Sequence, residues 1–122
     1  NYLGGKFSAD RDAMEPILKR LNEAGVAYID DTGAARRFAA DGAVATVNRM
    51  VTPGPAGDDA AAAGSDLAAL ERIAKEGGTA LGKAYAYEAN LDAVLAWSRG
   101  LSERGIVLAP ASALANGSGR EP

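Results

Sequence analysis

The hexapeptide LNEAGV at residues 21–26 decides the fold, because its pattern recurs twice along the chain. The counterparts are IAKEGG at residues 73–78 and LSERGI at residues 101–106. In each copy a stretch with helical periodicity ends, glycine follows and an apolar stretch begins, since glycine adopts the left-handed conformation that closes a helix. Repeated helix, glycine and strand junctions are typical of parallel strands connected through helices. The sequence therefore predicts an α/β protein with parallel strands.

The spacing of apolar residues places the other elements around these junctions. The predicted helices cover residues 8–24, 34–40, 65–77 and 91–101, and the predicted strands cover residues 26–29, 44–51, 79–84 and 106–109. Ser8 and Ser65 are predicted helix caps, and Pro16 predicts a kink or a fresh start in the first helix. In the last helix the residues at helical spacing are predicted to face the core, with Trp97 at the margin, and they are Leu91, Val94, Leu95, Ser98 and Leu101.

Two segments lack the bulk or the pattern of a packed element. Residues 52–59, TPGPAGDD, form a predicted loop, and the alanines that follow are too small to anchor a core, so we expect mobility there. Residues 116–122 are a predicted disordered tail.

Composition excludes several classes of function. The chain has 122 residues, a net charge of −3 and an isoelectric point near 4.9. This charge gives no basic surface for nucleic acid. No apolar run approaches the roughly 18–20 residues of a membrane span. Because there is no Cys and no His, we predict no tightly bound zinc in this chain.

Acidic residues follow the strand predicted at residues 26–29. Asp30 and Asp31 lie at its carboxyl end, where successive side chains alternate between faces, so one can face a cavity while the other caps the next turn. Paired carboxylates can bind a hard cation or serve as acid and base. The alternative is that both only cap the turn that starts at Thr32 and lie in solvent.

Lys83 and the tyrosines after it form a second candidate group. Lys83 lies near the carboxyl end of its strand, where it could bind substrate or form a structural ion pair. Tyr85 and Tyr87 would share a side if the strand continued, although ordinary packing explains them equally well. Since parallel strands end at one rim, Asp30 and Lys83 are predicted to lie there together.

The first ten residues, NYLGGKFSAD, have the order of a strand end, a glycine turn and a helix cap. With the residues that follow, up to position 18, they resemble the Asn-His-Met-Gly-Ser-Arg-Phe-Thr motif and helix of the divergent polysaccharide deacetylase family. Residues 28–31, 78–84 and 105–114 resemble later blocks of that family in the same order. Tyr2 and Lys83 depart from it, because many members have His at both positions.

The resemblance implies the C-terminal part of a deformed (β/α) barrel over residues 1–115, with an acidic metal-site motif in a first half before Asn1. It implies action on N-acetylated cell-wall sugar, by an active or a degenerate enzyme, in the periplasm or outside the cell. Asp30 and Lys83 are then the catalytic candidates. The substrate-binding candidates are Asn1, Tyr2, Asp31 and Tyr85, whose amide, carboxylate and phenol groups suit sugar hydroxyls and N-acetyl groups.

The implied partners are a carbohydrate or peptidoglycan-like ligand and either the first half of the same domain or a second copy of the chain. A divalent metal would enter only if upstream residues supplied ligands. The alternative function is a non-catalytic carbohydrate-binding or scaffold module of the cell envelope. A receiver-like phosphate acceptor is a third hypothesis, but its acid pair should end the first strand of the sheet.

Overall fold

The computed structural model describes residues 4–37, 44–52 and 60–115. The elements in chain order are α1 (Gly5–Ser8), α2 (Arg11–Glu23), β1 (Tyr28–Asp30), a 3-10 turn (Ala35–Arg37), β2 (Val44–Thr46), β3 (Arg49–Val51), α3 (Ala60–Gly77), β4 (Gly82–Ala84), α4 (Glu88–Ser98) and two further 3-10 turns (Ser102–Arg104 and Ala111–Leu114). The chain divides into a first unit, Asn1–Val47 with Ala109–Pro122, and a second unit, Asn48–Leu108.

Both pairs of strands are parallel, as predicted. In the first unit β1 pairs with β2, with Tyr28 opposite Val44. In the second unit β3 pairs with β4, with Arg49 opposite Gly82. These pairs confirm the α/β class. The described strands do not form a closed sheet, and the barrel remains a prediction.

The strand predicted at residues 44–51 is two strands with different partners. The amide of Val47 donates to the Asp30 carbonyl at 2.9 Å, whereas the amide of Asn48 donates to the Leu81 carbonyl at 2.8 Å. The Asn48 side chain then accepts from the Leu81 amide at 2.8 Å. The pairing therefore changes between two consecutive residues.

Asp10, not Ser8, caps the first long helix. Its Oδ1 accepts from the amides of Asp12 at 2.9 Å and Ala13 at 3.3 Å, which have no partner inside the helix. The Ser8 hydroxyl instead donates to the Gly5 carbonyl. The fresh start that we expected thus lies upstream of Pro16, and α2 runs through that proline from Arg11 to Glu23.

The glycines of the three junctions adopt the predicted left-handed conformation, although no described strand follows Gly105. Gly25 has a φ of +72°, and the amide of Val26 donates to the Leu21 carbonyl at 2.8 Å, which satisfies a carbonyl at the end of α2. Gly105 repeats this geometry, because the Ile106 amide donates to the Leu101 carbonyl at 3.0 Å. A residue with a Cβ would be strained at either position.

Each unit has its own core. The first consists of Met14, Leu18, Ala35 and Val44, with Tyr28 packed against it, and the second consists of Val51, Ala63 and Leu67, with Ala93, Val94 and Trp97 packed against it. Helix α3 begins at Ala60 rather than at Ser65, and Ala63 is completely buried. Ala63 therefore belongs to the core, although the sequence predicted alanines too small to anchor one, because at this position a small side chain fits against Val51 and Leu67.

Two predictions were wrong in the second unit, one of them only in part. In the predicted stripe of the last helix, Leu91 and Leu95 are 51% and 56% exposed, whereas Val94 packs against the core and Leu101 is buried, as predicted. The predicted strand at residues 106–109 is absent, since none of the described strands pairs with it and Val107 is 86% exposed. No described helix is long and apolar enough to cross a membrane.

Three predictions are tested only in part or not at all by the described residues. The predicted helix at residues 34–40 is a short 3-10 turn as far as Arg37. The predicted tail at residues 116–122 and most of the loop at residues 52–59 lie outside the described ranges.

Candidate functional site

Asp30 is the buried polar end of β1. Its side chain is directed inward, with the residue 2% exposed, while the neighbouring Ile29 faces outward. Oδ1 accepts from the amide of Thr32 at 3.2 Å and from its hydroxyl at 3.3 Å, and Oδ2 accepts from the amide of Ala35 at 3.0 Å. Asp30 therefore fixes the turn that leads into the 3-10 segment after β1.

The acid pair changes the chemistry of Tyr28. Burial disfavours the phenolate and raises the pKa of Tyr28 above its ordinary value, and the negative charges of Asp30 and Asp31 raise it further. Tyr28 therefore stays a neutral hydrogen-bonding group over a wider pH range than an exposed tyrosine. Asp31 is half-buried directly after the strand.

The second unit carries a group that we call the aromatic site, consisting of Lys83, Tyr85 and Tyr87. The two rings lie 6.1 Å apart between centroids and are tilted by 50°. Lys83 Nζ lies 5.7 Å from the centroid of the Tyr85 ring, within the range of a cation–π contact. The two rings therefore lie together although β4 ends at Ala84, before the strand continuation that the prediction assumed, and both are about half exposed at 49% and 55%.

A buried amide lies behind the aromatic site. Asn90, in the first turn of α4, is completely buried. Its Nδ2 donates to the Tyr85 carbonyl at 2.9 Å and, more weakly, to the Val51 carbonyl at 3.5 Å. Oδ1 has no donor among the residues that the structure describes. Because both neighbouring groups are acceptors, the nitrogen must face them, and the amide has one possible orientation.

Asp66 of α3 holds the carboxyl end of β3. Its Oδ1 accepts from Arg49 Nε at 3.0 Å and Nη2 at 2.8 Å, and its Oδ2 accepts from the amide and hydroxyl of Thr52, both at 3.0 Å. Burial raises the pKa of Asp66, but the hydrogen bonds from Thr52 and Arg49 outweigh it, and the pKa lies below its ordinary value. This carboxylate therefore stays ionised and structural at neutral pH.

The predicted site residues fall into separate places. Asn1 and Tyr2 lie outside the described residues. Asp30 and Asp31 belong to the first unit, whereas Lys83 and Tyr85 belong to the second. Their use of a shared rim remains a prediction.

The described residues do not fit a divalent metal centre. In residues 4–37, 44–52 and 60–115 there is no group of three or more His, Cys, Asp or Glu side chains that could hold an ion. Both carboxylate oxygens of Asp30 already accept hydrogen bonds from the turn. We therefore derive no metal-dependent step from this part of the chain.

The fold and these sites define an α/β protein with two parallel strand pairs and α-helices, with polar and aromatic groups at the strand ends. The sequence profile of the divergent polysaccharide deacetylase family matches residues 1–115. The chain belongs to this family, which confirms the resemblance seen in the sequence.

A solved relative has the same fold. The crystal structure of the uncharacterized protein ATU2773 from Agrobacterium tumefaciens C58 is 31% identical and superposes with a TM-score of 0.76. The match covers 93% of this chain and 48% of that one, so the chain spans about half the length of its relative. No curated protein matches the sequence significantly.

Asn90 was missed in the sequence, although a signal was available. It is the third residue of α4, and its two neighbours in the sequence, Ala89 and Leu91, are apolar. A polar residue at helical spacing with the apolar residues Val94 and Trp97 could have indicated a buried amide. The predicted stripe, which ran through Leu91 and Leu95 as well as Val94, hid this signal.

Proposed function

We propose that this chain is part of a polysaccharide deacetylase-like domain that acts on N-acetylated cell-wall polysaccharide, or that descends from such an enzyme. Membership of the divergent polysaccharide deacetylase family over residues 1–115 carries the proposal. The deacetylation would be a hydrolysis that releases acetate from the sugar amide.

The aromatic site is the proposed ligand contact. Half-exposed tyrosine rings can cover the apolar face of a pyranose, and their hydroxyl groups can donate to or accept from sugar hydroxyls. The Lys83 ammonium group beside Tyr85 can donate to the carbonyl oxygen of an N-acetyl group. Asn1, Tyr2 and Asp31 are the further substrate-binding candidates.

For catalysis, Asp30 and Lys83 are the proposed acid–base groups. A carboxylate at a strand end is suited to accept a proton from water, and an amine is suited to donate one to a leaving group. Asp30 would have to give up hydrogen bonds from Thr32 or Ala35 to do so.

The hydrogen bonds that Asp30 accepts from Thr32 and Ala35 favour a second candidate function, a non-catalytic carbohydrate-binding or scaffold module. Such a module would keep the aromatic site and use Asp30 only to hold the turn after β1. The proposed location in either case is the periplasm or the exterior of the cell, by family resemblance. The proposed protein partner is either a segment equivalent to the part of the Agrobacterium protein that this chain does not match, or a second copy of this chain.

Calorimetric titration with the β-1,4-linked tetramer of N-acetylglucosamine, followed by an assay of released acetate, tests both candidates. We expect saturable binding by the 122-residue chain, and Lys83→Ala should weaken it about tenfold, or about 1.4 kcal/mol. Lys19→Ala is the control, because Lys19 is an exposed lysine of the first unit.

Acetate release would favour the enzyme, and binding without release would favour the module. Absence of binding by the parent chain would contradict both. If the parent and Lys83→Ala bind the tetramer with equal affinity, the proposal that the sugar binds at the aromatic site is contradicted.

A further inference from the structure

We infer that Asn90 is a positioning residue for the aromatic site: its buried amide fixes the backbone that carries Tyr85, and thereby sets the geometry of the tyrosine pair. Asn90 itself is too deeply buried to touch a ligand. It acts through the carbonyl of Tyr85.

The first step of the argument is the pair of strand ends that Asn90 joins. Val51 is the last residue of β3, and Tyr85 directly follows the last residue of β4. The bond to the Tyr85 carbonyl, at 2.9 Å, has the length of a strong hydrogen bond, whereas the contact with Val51 at 3.5 Å is weak. The connection from β4 to α4 is therefore held mainly at Tyr85.

The second step is that Tyr87 is held independently. It precedes α4, and its carbonyl accepts from the Leu91 amide at 2.9 Å as part of the first helical turn. With Tyr87 fixed by the helix and Tyr85 fixed by Asn90, only Ala86 separates two anchored residues. The ring separation of 6.1 Å thus depends on both anchors.

The third step concerns the choice of residue. Leucine has nearly the shape of asparagine and would suit a completely buried position beside Val94 and Trp97, but it would leave the Tyr85 carbonyl without this donor. A buried amide whose oxygen has no donor among the described residues is unfavourable by itself. A polar side chain is favoured at this position because it can donate the hydrogen bond to the Tyr85 carbonyl.

The functional consequence rests on the proposed sugar binding, but the positioning role can be tested without sugar. In NMR spectra of the 122-residue chain we expect Asn90 side-chain amide protons that exchange slowly with solvent, and Overhauser contacts between the Tyr85 and Tyr87 rings. Asn90→Leu and Asn90→Asp, which both remove the donor, should lose the ring contacts and bind the N-acetylglucosamine tetramer about tenfold more weakly.

Leu101→Ala is the control, because Leu101 is also buried in the second unit but does not bond to the connection. It should lower stability and keep the ring contacts. Ring contacts that survive in a folded Asn90 variant would overturn the inference. Amide protons in the parent that exchange as fast as those of an exposed asparagine would overturn it too, even if neither variant folds. Lost ring contacts in a chain that binds no sugar would leave the positioning role standing and contradict only the proposed function.

Discussion

At the scale of single residues, the two buried aspartates are engaged in hydrogen bonds with the backbone. Asp30, at the end of β1, accepts from the amides of Thr32 and Ala35, and Asp66, on α3, accepts from the amide of Thr52. Such bonds satisfy donors that would otherwise be left without partners. Both carboxylates therefore have a structural role before any catalytic one.

Replacing Asp30 should reveal that role. Asp30→Ala leaves the buried amide of Ala35 without an acceptor, and we expect the free energy of unfolding to fall by about 2 kcal/mol. Denaturant titration of the variant, the parent and the control Asp92→Ala, an exposed position on α4, measures this. A decrease in the free energy of unfolding no larger than that of the control would mean that the turn forms without Asp30. It would contradict the structural role of this carboxylate.

At the scale of elements, one carboxylate of α3 joins three segments of the second unit. Glu71 Oε1 accepts from Arg104 Nε at 2.8 Å, in the 3-10 turn after α4, and lies 3.2 Å from Lys75 Nζ on its own helix. Its Oε2 accepts from Trp97 Nε1 of α4 at 3.1 Å. The hydrogen bond from Arg104 and the other donors lower the pKa of Glu71 from 4.5 to about 2.

This pKa predicts how stability depends on pH. Because the carboxyl has a lower pKa in the folded state, its contribution is complete above about pH 4.5 and is lost as the pH falls towards 2. Melting temperatures of the parent and Glu71→Gln should therefore differ most at neutral pH and converge between pH 4.5 and 2. Glu76→Gln, an exposed position on the same helix, is the control. A difference that stays constant down to pH 2 would contradict the account.

Helix α4 shows why its buried face could be predicted only in part. Its sequence EANLDAVLAWS has apolar residues on more than one side, so the predicted stripe included Val94, which packs against the core, as well as Leu91 and Leu95, which are exposed. Contact with Val51, Ala63 and Leu67 selects the side of Val94 and Trp97. This selection depends on tertiary packing, which cannot be deduced from the spacing of residues within one helix.

At the scale of the whole molecule, the sequence predicted what local rules determine. The left-handed glycines and the parallel pairing follow from the repeated junctions, and the family follows from four short blocks that occur in the family's order. The division of residues 44–51 into β2 and β3 did not, because it requires knowing that Asp30 and Leu81 are the successive partners. The prediction of a strand at residues 106–109 was wrong for the same reason, because a strand needs a neighbouring strand to pair with as well as an apolar sequence.

The candidate site was predicted only in part. Tyr85 and Tyr87 were found from their spacing and Lys83 from its place near the end of its strand, and the structure brings the three together. The role of Asn90 depends on its hydrogen bonds to the carbonyls of Tyr85, five residues earlier, and of Val51, at the end of β3. No sequence pattern indicates either bond.

The central claim is that this family member binds N-acetylated sugar at the aromatic site of its second unit. Titration of the isotopically labelled 122-residue chain with the N-acetylglucosamine tetramer, followed by amide chemical shifts, tests it most directly. The account predicts saturable shifts at Lys83, Tyr85 and Tyr87, and none at Lys19 and Glu23 on the exposed face of α2. No saturable shifts at all, or shifts only at residues remote from the aromatic site, would contradict it.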